Sequence, residues 1–291
     1  MKHSTHFPVF LALLGVLLFS LLDTVMKAQA LAMGTYSAMF WRMVFGVLFA
    51  LLLFALLLFS RGGIRPIAGK ALKIHILRAA LTALMTYLFF FSLTRIPLAQ
   101  AIGLSFIAPI ISLFLAAPLL GERIQSNAKI AATLGFMGVV VVVGGELLSL
   151  NADSDFLGLS AVLLFALLYA LYLILQRKHS LMASPIEIVF YQNIMVFGIL
   201  LLGAPFFVTL PTNAGQWGGA AFAAASAMAS LALMSMAYRR AEIQKLTSIE
   251  YTAFIWGALF GWLFFGEGLT LQTILGTGLI VAGCLANLRR S

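Results

Sequence analysis

The sequence predicts an all-α membrane protein of ten transmembrane helices, arranged as two inverted five-helix repeats. Three observations predict it: the composition, ten apolar runs of spanning length, and a segment that recurs 145 residues further along the chain. Of 291 residues, 63% are apolar and only 9% charged, with a mean hydropathy of +1.08. A water-exposed surface needs roughly a quarter or more charged residues, so most of this surface faces lipid. Backbone amides in hydrocarbon need internal partners, which leaves helices or closed barrels. The continuous Leu, Ala, Val and Phe runs lack the alternation of barrel strands.

Runs of about 20 apolar residues between polar or Gly/Pro breaks place the ten spans. They are Phe7 to Met26, Thr35 to Phe59, Ala71 to Thr94, Leu98 to Leu120, Ser126 to Gly145, Phe156 to Gln176, Ile186 to Phe207, Gln216 to Tyr238, Lys245 to Phe265 and Thr270 to Leu288. The first run follows Lys2 and approaches Ala28-Gln29-Ala30, the small-x-small pattern of a cleavable signal peptide. It is long for such a segment, and Asp23 and Lys27 interrupt the approach, so it is read as span one.

Lys and Arg mark the loops that stay in the cytoplasm. With the N-terminus inside, fourteen of the eighteen basic residues fall on inner segments and only Lys27 and Arg95 on outer ones. Arg42 and Arg78 lie within spans. The loop from Glu146 to Asp155 carries three acids and no Lys or Arg, which fits the outside. Both termini are therefore expected to be cytoplasmic.

The net charge of +9 does not make a nucleic-acid binder, because no hydrophilic segment is long enough to form a basic face. The lone Cys284 sits in a glycine-rich apolar run and supports neither a disulfide framework nor a cysteine metal site. His3, His6, His75 and His179 lie at termini or helix ends, without a catalytic motif at membrane depth. No enzyme, cofactor or metal is expected.

The segment Phe106 to Gly138, with Leu120-Gly121-Glu122-Arg123-Ile124 and Leu134-Gly135-Phe136-Met137-Gly138, aligns with the stretch 145 residues later. That stretch holds Phe265-Gly266-Glu267-Gly268-Leu269 and Leu279-Ile280-Val281-Ala282-Gly283. A weaker echo pairs Phe40-Trp41-Arg42 with Phe190-Tyr191-Gln192. The chain thus divides into repeats at 1–150 and 151–291. Five spans is an odd number, so the second copy enters the membrane from the opposite side. A site between such halves opens to either face in turn, which points to transport rather than to a receptor or scaffold.

Several features in order resemble the EamA family of the drug/metabolite transporter superfamily. They are Phe40-Trp41-Arg42 in span two, Leu77-Arg78 in span three, Ile96-Pro97-Leu98-Ala99-Gln100-Ala101 before span four, Ala108-Pro109 within it, Leu120-Gly121-Glu122-Arg123, and Phe265-Gly266-Glu267. The resemblance implies a ten-helix inverted-repeat fold, a central cavity between the halves, and carriage of small organic metabolites across a bacterial inner membrane. Leu22-Asp23-Thr24-Val25-Met26-Lys27 followed by Phe40-Trp41-Arg42 is most similar to members described as uptake carriers for S-adenosylmethionine or riboflavin; others export amino acids or metallophores. Phe254 stands at the position matching Pro109, so a proline-shaped break is expected in span four and not in span nine.

A charge near mid-membrane costs about 3 kcal/mol or more, so those present face an aqueous cavity or a partner. Arg42, about 10 Å into span two at 1.5 Å per residue, can hold a carboxylate or phosphate, or snorkel to headgroups. Asp23 and Lys27 sit one helical turn apart and can pair with each other or offer opposite charges to a zwitterion. Arg78 is expected as a phosphate-facing anchor. Glu250 suits proton coupling or a cationic group, or a pair with Lys245. Tyr87, Gln100, Ser105, Tyr169, Tyr172, Gln192, Asn193, Tyr251 and Trp256 complete the candidate cavity lining, where aromatic faces stack on flat or cationic ligands and amides fix orientation. Gly257 and Gly261 on span nine, and Ala131 and Gly135 on span five, permit close helix approach.

The expected partners are a small metabolite, the bilayer and protons as a coupling ion. A lipid flippase or a membrane assembly factor without transport is the competing reading; an intramembrane enzyme lacks its residues.

Overall fold

The computed structural model describes residues 6–61, 69–120, 126–148, 155–180, 185–238 and 249–288. Regular structure among them is helical: α1 (His6–Met33), α2 (Thr35–Arg61), α3 (Gly69–Leu93), α4 (Leu98–Ser105), α5 (Ile107–Leu120), α6 (Ser126–Leu148), α7 (Phe156–Ser180), α8 (Pro185–Phe207), α9 (Ala214–Tyr238), α10 (Ala253–Phe265) and α11 (Leu271–Leu288). Among the described residues, six helices are long and apolar enough to cross a membrane. Shorter apolar helical stretches at 98–112, 132–142, 253–265 and 271–283 stand where the other four spans were expected. Glu122, Arg123, the side chain of Glu146, the Cys284 side chain, three of the four histidine side chains and most of the loop Lys and Arg residues lie outside the described residues.

Span four is α4 and α5 separated at Phe106. Pro109 causes the break: it has no N–H to give the Ser105 carbonyl, and its ring clashes with that carbonyl. Span nine has no proline at the matching position, yet it too is interrupted. Residues 249–250 are helical, Tyr251 and Thr252 form a turn, and α10 starts at Ala253. No proline is needed there, because the Thr252 hydroxyl donates to the Ile249 carbonyl at 2.6 Å and the Thr252 amide to the same carbonyl at 2.9 Å. The side chain competes for the backbone acceptor and tightens the turn.

Helix contacts follow the symmetry of two five-span halves. The most extensive are α6 with α11 and α1 with α9, followed by α3 with α7 and α2 with α8, with α4 against α10. In spans, one meets eight, three meets six, two meets seven, four meets nine and five meets ten. Exchanging each span for its counterpart five later turns the first pairing into the second and each of the others into itself. Inverted repeats about a two-fold axis in the membrane plane give that pattern.

Spans five and ten cross where two glycines meet. A Cβ on Gly138 would lie 2.5 Å from the Gly276 carbonyl oxygen, and one on Gly276 2.6 Å from that of Gly138. Gly34, alone between α1 and α2, has φ +84°, a left-handed value that glycine adopts without steric cost.

The polarity is that of a lipid-dissolved protein. Leu202 and Phe206 are 79% and 81% exposed on the outside, whereas Asp23, Lys27, Gln29, Arg78 and Gln100 are buried within. One end of the bundle carries Gly34 and the connections 94–97, 208–213 and 266–270, and is called here the turn face; α1 starts and α11 ends at the other end, the terminal face.

Candidate functional site

On α1, Ser20, Asp23 and Lys27 follow one another along one face, since residues three and four apart lie one above the other. All three are buried. Asp23 and Lys27 do not pair. Asp23 instead lies where its charge and that of Arg42 on α2 act on each other. The two are farther apart than a direct ion pair, and among the described residues the direct ion pairs are Lys27 with Glu267 and Arg95 with Asp155. Arg42 does not reach for headgroups: its guanidinium sits 6.0 Å from the ring centroid of Phe90, and its Nε is buried without a hydrogen-bond partner. Phe40 and Trp41 beside it are structural. Phe40 packs on Phe197 at 5.5 Å, and Trp41 donates from Nε1 to the Thr209 carbonyl at 2.8 Å. Together they fix the rotation of α2 that sends Arg42 inward.

Lys27 reaches toward the turn face. Its Nζ donates to the Ile96 carbonyl at 2.9 Å, pairs with Glu267 Oε1, and lies 5.2 Å from the Phe265 ring centroid. The other Glu267 oxygen accepts the Leu98 amide at 2.8 Å. That amide opens α4, where the positive end of a helix favours a carboxylate. Gly266, with φ +66°, ends α10 and turns the chain back. Gly261 leaves the space: a Cβ there would meet Glu267 Oε2 at 2.7 Å. The joint ties α1 and the α3–α4 turn of the first repeat to the α10–α11 turn of the second.

A second link between the repeats lies further out. Arg95 Nη1 donates to Asp155 Oδ2 at 2.9 Å, and the Gly158 amide donates to Asp155 Oδ1 at 3.0 Å, capping α7. Burial opposes the Asp155 charge, but the hydrogen bonds from Arg95, Gly158 and Leu157 and the Arg95 charge outweigh it and hold the carboxyl below its ordinary value.

An aromatic ladder runs from Arg42 into α7. Phe90 touches Phe89 at 5.9 Å, Phe89 packs on Phe165 at 4.7 Å, Phe165 stacks on Tyr169 at 5.5 Å and 11°, and Tyr169 on Tyr172 at 6.1 Å and 21°. Arg78 closes the far end, with its guanidinium 5.4 Å from the Tyr172 ring centroid. The headgroup role expected for Arg78 is corrected: it is buried, and Nη2 donates to Gln192 Oε1 and, at 3.3 Å, to the Tyr172 hydroxyl. Glu250, half-buried, is within electrostatic reach of Tyr169.

The other candidates are placed as follows. Tyr87 stacks on Phe91 at 6.2 Å, and Tyr251 meets Phe106 edge-on at 5.1 Å. Ser105 bonds back to the Ile102 carbonyl at 2.7 Å. Gln100 is buried in α4, and Asn193 packs against Gly46 of α2. Trp256 stacks on Phe260 at 5.9 Å, and its Nε1 is buried without a hydrogen-bond partner. The structure thus brings Asp23 near Arg42, and joins Tyr172 and Gln192 through Arg78, with Tyr169 stacked on Tyr172. Lys27, Tyr87 and Ser105 are held in contacts of their own. Glu267 was visible as part of the repeat and of the family resemblance but not as a site residue; its place at the outer turn after span nine, on the same side as Lys27, was the available signal.

Buried charges of both signs between two halves of a lipid-facing helical bundle define the class: a multi-pass membrane transporter. The chain belongs to the EamA-like transporter family, whose sequence profile matches residues 6–144 and 156–289. It is 26% identical to the pseudopaline exporter CntI of Pseudomonas aeruginosa, over 96% of this chain and 94% of that protein. It is 22% identical to a riboflavin transporter of Brucella anthropi, over 86% and 87%. An uncharacterized transporter of Helicobacter pylori is 25% identical over 98% and 95%. One crystal structure superposes with a TM-score of 0.63 at 15% identity, covering 97% of this chain and 96% of its own, a likeness of fold.

Proposed function

We propose that this chain is a secondary-active carrier of a small organic metabolite bearing both a cationic and an anionic group, moved by alternating access between repeats 1–150 and 151–291. The observation that carries the reading is the Asp23 and Arg42 pair: opposite charges placed in the interior, near each other yet not joined. Two such charges are costly to bury apart. A ligand that brings an ammonium to Asp23 and a carboxylate to Arg42 satisfies both. The ladder of Phe89, Phe165, Tyr169 and Tyr172 offers faces for a flat or cationic portion of the same ligand. Gln100, Asn193 and Trp256 complete the lining, and Glu250 is the acid for proton coupling.

The turn face is the outer side of a bacterial inner membrane, and the chain termini are cytoplasmic. The bias of Lys and Arg supports this orientation. The related pseudopaline exporter and riboflavin transporter support an organic substrate.

Uptake of labelled amino acids, amino-carboxylate metallophores, nucleoside-type metabolites and flavins into proteoliposomes tests the reading, with and without an imposed proton gradient. Solute accumulation that Asp23→Asn and Arg42→Gln abolish supports it. Movement of labelled lipid without solute supports a flippase instead. Proton coupling through Glu250 fails if Glu250→Gln keeps gradient-driven accumulation unchanged.

A further inference from the structure

We infer that Lys27 is a two-position switch that links the charge state of the interior site to the closure of the turn face. It has two carboxylates within reach, and the structure records one of the two arrangements. Here Lys27 pairs with Glu267 and the Ile96 carbonyl, the first repeat is joined to the second, and Asp23 is left without its helical neighbour. Asp23 lies one turn below on the same face of α1, at the spacing where a carboxylate and a lysine meet. A rotamer change of Lys27, with no backbone movement in α1, exchanges Glu267 for Asp23.

The exchange has a mechanical consequence. Glu267 holds Leu98 at the start of α4 while it holds Lys27, so it couples α1, α4 and the turn after α10 through one carboxylate. When Lys27 leaves, only the Leu98 amide remains of that joint, and the ion pair between α1 and the α10–α11 turn is lost. In a buried setting a lysine does not stay without a partner, because an uncompensated charge there is strongly unfavourable. The choice is therefore between two discrete states: Lys27 on Glu267 with the turn face tied, or Lys27 on Asp23 with it released.

Occupancy decides between them. A ligand ammonium on Asp23, as the proposed function has it, takes away the alternative partner and sends Lys27 to Glu267. Loading the site then closes the face. With the site empty, Asp23 competes for Lys27 and the face opens. Arg42 also acts on Asp23 and sets how strongly it competes. The inference rests on the proposed function only for the identity of the ligand group; the switch itself is testable in the protein without substrate.

The experiment uses the full chain with Cys284 replaced by Ala and a reporter cysteine at Ser20, which is 1% exposed and lies beneath Asp23 on the same helix face. A membrane-impermeant maleimide is applied to right-side-out and to inside-out vesicles, so the turn face is read whichever side it occupies. Glu267→Gln and Lys27→Gln are expected to raise labelling through the turn face about fivefold or more. Asp23→Asn, which removes the alternative partner, is expected to lower it below the unsubstituted level. The reversed pair, Lys27→Glu with Glu267→Lys, is expected to label below either single substitution. Asp23→Glu keeps the alternative partner and serves if Asp23→Asn does not fold; it is expected to label at or above the unsubstituted level.

Opposite signs for Glu267 and Asp23 establish the switch, since a merely structural contact moves both the same way. The inference is overturned if Asp23→Asn raises labelling as Glu267→Gln does, if Asp23→Glu lowers it, or if neither Glu267→Gln nor Lys27→Gln changes it. A protein that carries no solute with both charges yet shows the opposite signs refutes the proposed function and keeps the switch.

Discussion

The rings of Phe106 and Tyr251 meet edge-on, with centroids 5.1 Å apart and planes at 81°. Each stands at the break of its span, and the two are 145 residues apart, the offset of the internal repeat. Two residues that a two-fold axis exchanges can touch only beside that axis. The contact therefore locates the junction of the repeats at the broken spans four and nine. Phe106→Ala and Tyr251→Ala are each expected to lower the thermal midpoint. In a double-mutant cycle they are expected to couple by about 0.5 to 1.5 kcal/mol, the range of an edge-to-face pair. Additive losses would place the rings in separate environments.

Gly138 and Gly276 each point a missing Cβ at the other's carbonyl oxygen, 2.5 and 2.6 Å away. Neither backbone can yield cheaply, so Gly138→Ala and Gly276→Ala are expected to cost about 2 kcal/mol or more each. Gly144 and Gly278 lie on the same two helices with nothing within 4 Å of a Cβ. Alanine at those positions is expected to be neutral or stabilising. Thermal unfolding in detergent compares the four.

Arg78 is held by Gln192 and Tyr172, and its removal takes the guanidinium donor from a half-buried amide oxygen and hydroxyl, leaving the Gln192 oxygen only the Tyr172 hydroxyl at 3.5 Å among these contacts. Arg78→Ala is expected to destabilise by about 3 kcal/mol. Arg78→Lys is expected to restore only part of that, because an ammonium lacks the planar fork that lies against the Tyr172 ring. The yield of monodisperse protein and its thermal midpoint check both.

Asp155 gives a pH dependence whose sign follows from its pKa, which is held below the ordinary carboxylate value. A carboxyl that is more acidic folded than unfolded stabilises fully above its unfolded value, near 3.9, and loses the effect as pH falls through the folded value. Asp155→Asn keeps an oxygen for the Gly158 amide and removes the charge. The thermal midpoint difference between the two proteins is expected to be small and constant from pH 5 to 7, to shrink below about pH 4, and to diminish in high salt. A difference that grows on acidification contradicts the assignment.

The spans were legible because lipid exposure writes itself into long apolar runs, and Pro109 announced the break in span four by its missing donor. The break in span nine was not legible: it depends on the Thr252 hydroxyl taking a backbone acceptor, which a lone threonine does not signal. The site was legible as a set of charged residues but not as a set of pairs. Asp23 and Lys27 share a helix face, yet the lysine answers to Glu267, whose position depends on the left-handed turn at Gly266. Arg78 read as an anchor because sequence shows depth along a helix and not which neighbour the face meets.

The central claim is that Asp23 and Arg42 together read a ligand with two opposite charges. The direct measurement is ligand-induced thermal stabilisation of the purified protein across matched sets: a zwitterion, its amide without the carboxylate, and its deaminated acid. A zwitterion is expected to raise the midpoint, and neither single-charge analogue to do so at the same concentration. Arg42→Gln is expected to remove the preference over the amide and Asp23→Asn the preference over the acid. Equal stabilisation by all three compounds, or an unchanged preference in both variants, would contradict it.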